Sequence, residues 1–211
     1  MKPIVLSSQK TLDNEIEFVT SFFERGLKSF HLRKPHYSKK RMRSYLDAIP
    51  SIYHNRIVIH SHYGLVKKYN LKGIHLGSKD RKSNFKNWFK IKSLKRKKPF
   101  LRVSTSFNEI SDLNKYIDLY DYVFLSPVFD SKTKGNYQSN FKEYNLTSSI
   151  QRSNYNVVAL GGVDSENISK AFNMGFWGCA FLSTLWENKN PVEKFEKLKL
   201  NCEEFKYNPI L

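Results

Sequence analysis

Eight short apolar runs recur along this chain, and each is followed by residues with helical spacing. No other feature limits the possible folds so strongly. The runs lie at 4–7, 29–33, 57–60, 73–76, 100–104, 122–126, 156–160 and 179–182. Between them come stripes at i, i+3 and i+4: Ile16, Val19, Phe22 and Phe23; Tyr45, Leu46 and Ile49; Leu65, Val66 and Tyr69. Phe85, Trp88 and Phe89, then Ile110, Leu113 and Ile117, continue the series. A shorter stretch at 142–150, then Ile168, Ala171 and Phe172, and finally Val192, Phe195, Leu198 and Phe205 complete it. Period-2 runs alternating with period-3.6 stripes specify parallel strands joined by crossover helices. Eight such units predict an α/β chain folded as a single-domain (β/α)8 TIM barrel over residues 1–211, near the small end for that architecture. No repeat, linker or low-complexity stretch argues for a second domain.

Composition narrows the partners. The 36 Lys+Arg against 19 Asp+Glu leave a formal charge of +17. A basic surface attracts anions, but the charges are spread, and the densest run, Lys95-Arg96-Lys97-Lys98, reads as a solvated helix end before a strand. No nucleic-acid-binding motif accompanies them, so small anionic ligands are expected and specific nucleic-acid binding is not. Of the two cysteines, Cys179 and Cys202, Cys179 sits inside an apolar run, which predicts a buried thiol and no disulfide framework. No apolar run approaches spanning length and the N-terminus lacks a signal-like apolar region, so no membrane role and a cytoplasmic location are expected.

In a barrel of this type, ligand groups project from the C-terminal ends of the strands. The second run ends His31-Leu32-Arg33-Lys34, where alternation puts His31 and Arg33 on one side and Arg33 offers a planar fork to phosphate. The third ends His60-Ser61-His62; an i,i+2 histidine pair without a third nearby ligand favours a hydrogen-bonding role for His60 over zinc. The fourth ends at Asp80, either a magnesium carboxylate or a helix cap. The fifth ends in the hydroxyls Ser104-Thr105-Ser106, and the sixth leads into a loop carrying Ser131, Thr133 and Lys134. The seventh closes on Gly161-Gly162 and the eighth on Leu182-Ser183, endings whose bare amides suit a phosphate.

These residues, in this order, resemble the thiamine phosphate synthase and thiazole tautomerase superfamily. The resemblance runs through His31-Leu32-Arg33-Lys34, Gly73-Ile74-His75-Leu76-Gly77-Ser78-Lys79-Asp80, Asp121-Tyr122, Ser126-Pro127-Val128-Phe129, Ser131-Lys132-Thr133-Lys134, Ala159-Leu160-Gly161-Gly162-Val163 and Leu182-Ser183. It implies an enzyme that joins hydroxymethylpyrimidine diphosphate to thiazole phosphate, releasing diphosphate with the help of Mg²⁺. The partners are then phosphorylated pyrimidine and thiazole molecules, and a homo-oligomer is allowed. The resemblance puts Arg33, Ser104 and Lys134 on the diphosphate as catalytic groups, with His31, Lys34 and His60 beside the substrate. It puts Ser131, Thr133, Gly162, Leu182 and Ser183 on the thiazole phosphate, and Asp80 on the metal. Two positions depart from the family pattern: His60-Ser61 replaces Asn-Asp, removing one magnesium carboxylate, and Pro35 replaces a lysine. Pro127 follows the synthase branch. The departures leave two alternatives, a thiazole-phosphate isomerase using His60 or His62 as acid/base, and a non-catalytic phosphorylated-ligand binder on the same barrel.

Overall fold

The computed structural model describes residues 1–82, 84–115, 117–130 and 141–205. Its eight strands are β1 (Lys2–Leu6), β2 (Phe30–Leu32), β3 (Ile57–Ile59), β4 (Gly73–Leu76), β5 (Arg102–Phe107), β6 (Tyr122–Leu125), β7 (Val157–Ala159) and β8 (Gly178–Phe181). They are ordered as a closed barrel in chain sequence, and every pairing described is parallel. The fold is the (β/α)8 barrel expected from the sequence, with each strand within a few residues of its apolar run.

The helices are α1 (Glu15–Glu24), α2 (Lys39–Asp47), α3 (Ser78–Lys82), α4 (Asn84–Lys97), α5 (Glu143–Arg152), α6 (Ile168–Asn173), α7 (Ser183–Trp186) and α8 (Pro191–Glu204). The stripes identify their inner faces. Val19, Phe22 and Phe23 of α1 are buried, as are Phe195, Leu198 and Cys202 of α8. Helix α2 starts where the Ser38 side chain accepts from the Arg41 amide, and α8 where Asn190 caps Glu193 with Pro191 at the first turn. Two expected helices are corrected. The stripes at Leu65 and at Ile110 form only 3-10 turns, Tyr63–Lys67 and Ile110–Asn114. The segment 60–72 must leave β3, turn and re-enter β4, and this leaves too little chain for a full α-helical crossover.

By contact density the chain divides into two compact units. One comprises Met1–Val5, Phe107–Tyr116 and Tyr122–Leu211; the other comprises Leu6–Ser106 and Ile117–Asp121. The first holds β6-β7-β8 and the β1–β8 pairing, with Cys179 buried and free, as expected, and Cys202 likewise buried and free. The second holds β2-β3-β4-β5. In it α1 packs on β2 through Phe23 and Phe30, whose rings meet edge-on at 6.0 Å. Asp121 accepts from the Val103 amide and pairs with Arg102 and Lys95. No helix among the described residues is long and apolar enough to cross a membrane.

Candidate active site

Half of the expected residues lie in the second unit: His31, Arg33, Lys34, His60, Asp80 and Ser104. Val58 pairs with His31 across β2–β3, and His75 pairs with Ser104 across β4–β5. Alternation then sets His31, His60, His75, Ser104 and Ser106 on one side of the sheet. Their contacts agree. His31 Nδ1 lies 2.9 Å from His60 Nε2. His75 Nδ1 meets Ser104 Oγ at 2.9 Å, and its Nε2 meets Ser106 Oγ at 3.0 Å. His31 is fully buried and His75 is 4% exposed, while His60 is partly exposed.

Burial drives all three imidazoles toward the neutral form. His75 is pushed down to about 3, chiefly by loss of solvent and secondarily by the Arg33 charge. Burial also holds His31 and His60 well below the usual imidazole range, reinforced by the neighbouring rings and, for His60, by Arg33. The exposed Arg33 therefore bears on the imidazoles electrostatically. Its backbone is clamped by a residue the sequence reading passed over. Ser7 Oγ accepts from the Arg33 N–H at 2.8 Å and donates to the Arg33 carbonyl at 3.0 Å. The available signal was its position at the C-terminal end of β1. A fixed backbone carrying an exposed guanidinium is well suited to meeting an anion.

Lys34 requires a correction. Expected beside substrate, it is instead buried, and its ammonium is consumed within the protein. Nζ lies 2.5 Å from Glu15 Oε2 and donates to the carbonyls of Ser8 (2.8 Å) and Lys10 (3.3 Å). The sequence offered no sign of this pair, because Glu15 belongs to α1. Asp80, the expected magnesium ligand, lies within α3, partly exposed, and its Oδ2 accepts from the Tyr63 hydroxyl at 2.7 Å. The Tyr63 hydroxyl oxygen also lies 3.0 Å from the His75 carbonyl, within reach of the same proton, which places Asp80 near the end of β4. His62 turns elsewhere: its backbone is left-handed at φ 52°, and its Nε2 meets the Tyr37 carbonyl at 2.8 Å.

The first unit carries the expected phosphate-binding endings. Gly161 and Gly162 have φ of 88° and 66°, a region glycine enters without strain. A Cβ on Gly162 would stand 2.3 Å from the Phe129 carbonyl oxygen and 2.5 Å from that of Asp130. The loop after β6 packs directly against these glycines, its Val128 and Phe129 amides donating to the Leu160 and Gly161 carbonyls. Asn167 Nδ2 holds the Gly162 carbonyl at 2.8 Å, and Asp164 takes the Ser165 amide and Lys194. The glycine pair therefore has a packing role whatever it binds. Gly162→Ala should cost about 2–3 kcal/mol through forced backbone displacement and left-handed strain. A thermal melt unchanged within 1 °C would show that the loops relax freely. At the end of β8, Leu182 and Ser183 are partly exposed, and the Leu182 carbonyl opens α7 by accepting from Leu185 and Trp186. The first amides of such a turn have no intrahelical acceptor. Ser131, Thr133 and Lys134 lie outside the described residues.

Comparison with known proteins identifies the family. The family model described as thiamine monophosphate synthase matches residues 3–185. The curated thiamine-phosphate synthase of Limosilactobacillus reuteri is 25% identical over 190 residues, covering 87% of this chain and 86% of that protein. That of Oceanobacillus iheyensis is 22% identical over 205 residues, covering 93% and 96%. The crystal structure of thiamine phosphate pyrophosphorylase from Bacteroides thetaiotaomicron superposes with a TM-score of 0.77 at 28% identity, covering 98% of this chain and all of the other. A Pyrococcus furiosus protein of the same name shares the fold at 18% identity and a TM-score of 0.76. With a family model that matches residues 3–185 on an eight-stranded parallel barrel, the chain belongs to the thiamine monophosphate synthase family.

Proposed function

We propose that this chain is a thiamine phosphate synthase-like transferase that joins hydroxymethylpyrimidine diphosphate to thiazole phosphate and releases diphosphate. The observation that carries the reading is Arg33: an exposed guanidinium, next after β2, on a backbone clamped by Ser7. Arg33 binds the diphosphate by paired N–H donors, and its fixed backbone spares the cost of ordering it. Because these donors gain most as negative charge collects on the leaving group, they favour the transition state over the bound substrate. Ser104, through His75, keeps a neutral polar wall at the end of β4. Gly162, Leu182 and Ser183 present main-chain groups to the thiazole phosphate.

Magnesium suits this donor set only in a substrate-assisted form. Asp80 supplies one hard carboxylate, already oriented by Tyr63, while Ser61 stands where the family pattern has a second. Magnesium is commonly held by one carboxylate together with substrate phosphate oxygens, and it would neutralise part of the departing charge. The isomerase alternative fares less well, because a buried imidazole kept neutral and bonded to His31 is a poor proton donor at neutral pH.

The test is a coupling assay with both substrates and Mg²⁺, read as thiamine phosphate formed. Arg33→Ala should lower kcat/KM by about 10²-fold or more, with Arg33→Lys intermediate because a point charge cannot form the paired contact. Ser61→Asp should raise turnover, and only with Mg²⁺ present. Absence of coupling in the wild-type chain, or an Arg33→Ala variant with full activity, would overturn the reading.

A further inference from the structure

The geometry points to a transition-metal site, built from His31, His60 and His75, that binds a divalent ion of the zinc class in the absence of substrate. One ring nitrogen from each residue lies within 4.8 Å of the others. They come from three successive strand ends, so the cluster is held by the sheet and not by a loop. Two of the nitrogens, His31 Nδ1 and His60 Nε2, are already 2.9 Å apart. The His60 and His75 rings stack with centroids 4.1 Å apart and planes 18° from parallel, so one ring must turn out of the stack for both edges to face one ion. The His31 ring stands at 76° and 72° to these two, and so approaches that point from another direction.

Zinc–imidazole bonds of about 2.0–2.1 Å in a tetrahedral arrangement need nitrogens about 3.3 Å apart. The nitrogens already lie within 4.8 Å of one another, and side-chain rotation, with His60 and His75 unstacking, is required to bring them to that spacing. His75 would give up one of its two serine partners to the ion, and the other serine would hold the ring, as second-shell hydroxyls do in metal sites. Neutral imidazole is the ligating form, and burial keeps these rings neutral. The partly exposed His60 gives an ion its way in. Three nitrogens with a fourth position open is the pattern of a reactive rather than a structural zinc site. Imidazole prefers zinc, cobalt, nickel or copper to magnesium, so this site differs in metal preference from the oxygen donor at Asp80. It stands independently of the coupling reaction.

The experiment uses the full chain stripped with a chelator, without substrates. Zn²⁺ should bind with 1:1 stoichiometry in competition with a chromophoric chelator. Co²⁺ should give the intense visible absorption of a four- or five-coordinate ion, and a large excess of Mg²⁺ should displace neither. His31→Gln and His60→Asn should each weaken Zn²⁺ at least 10–100-fold, since loss of even an outer-shell partner costs that much. His62→Ala should leave affinity unchanged. X-ray absorption of the zinc-loaded wild-type chain should show imidazole scattering, a readout that stands even if a variant fails to fold. Zinc binding that survives both histidine variants, a metal shell without imidazole, or no 1:1 binding would overturn the site and leave a hydrogen-bonded polar cluster. None of these results bears on the coupling assay, so the two readings fail separately.

Discussion

Lys34→Met should destabilise the chain by about 3–5 kcal/mol at pH 7, the usual cost of removing one partner from a buried ion pair. Methionine keeps most of the stem's volume, so the change isolates the charge. Lys34 and Glu15 are 4% and 3% exposed. Without the ammonium, Glu15 keeps the Ser8 amide, at 3.0 Å, and the neighbouring Tyr45 hydroxyl but no cation, and the Ser8 and Lys10 carbonyls lose a donor. Burial already raises the Glu15 pKa against the pull of Lys34, and losing Lys34 raises it further. A raised carboxyl pKa means that the folded chain binds more protons than the unfolded one. The deficit should therefore be greatest above that raised pKa and narrow as the pH falls through it. Adding Glu15→Gln to the variant should recover much of the loss, since a neutral amide needs no counter-ion. Urea unfolding at pH 7 and pH 5 checks all three statements. A single-variant cost below 1 kcal/mol would mean that Lys34 is not the internal anchor its contacts describe.

The metal-free chain should also lose stability steeply in mild acid. His75 titrates at about 3 in the folded chain against 6.5 as its ordinary value, and His31 and His60 shift in the same direction. Between those values the unfolded chain takes up protons that the folded chain refuses, so stability is undiminished above about pH 6.5 and falls as pH drops toward 3. His75 alone should account for about 2 kcal/mol between pH 7 and pH 5, with the other two rings adding to the loss. Arg33 and Lys72 strengthen the effect, since each disfavours a further positive charge in the cluster. His75→Gln, which can still bond to Ser104 and Ser106, should flatten the profile. A wild-type urea midpoint that does not move between pH 7 and pH 5 would show that the rings reach water or a counter-charge when protonated.

The barrel was legible in the order of residues, because strand and helix periodicities are local and eight alternations leave few ways to bury the apolar faces. Arg33 directly follows β2, since position along a barrel strand follows from the strand's own boundaries, whereas Asp80 lies beyond the end of β4, within α3. The two segments reduced to 3-10 turns were not legible, because spacing reports which residues face inward and not how much chain a crossover leaves for a helix. The strand-three histidines show a limit of the same kind. His60 and His62 are sequence neighbours and looked like a pair short of a ligand. In the structure His62 bonds to Tyr37, and His60 finds its companions on β2 and β4. Lys34 looked like a ligand group until α1 supplied Glu15. Only the tertiary structure decided these partnerships, because strand pairing and helix docking bring together residues whose separation in the chain carries no signal of contact.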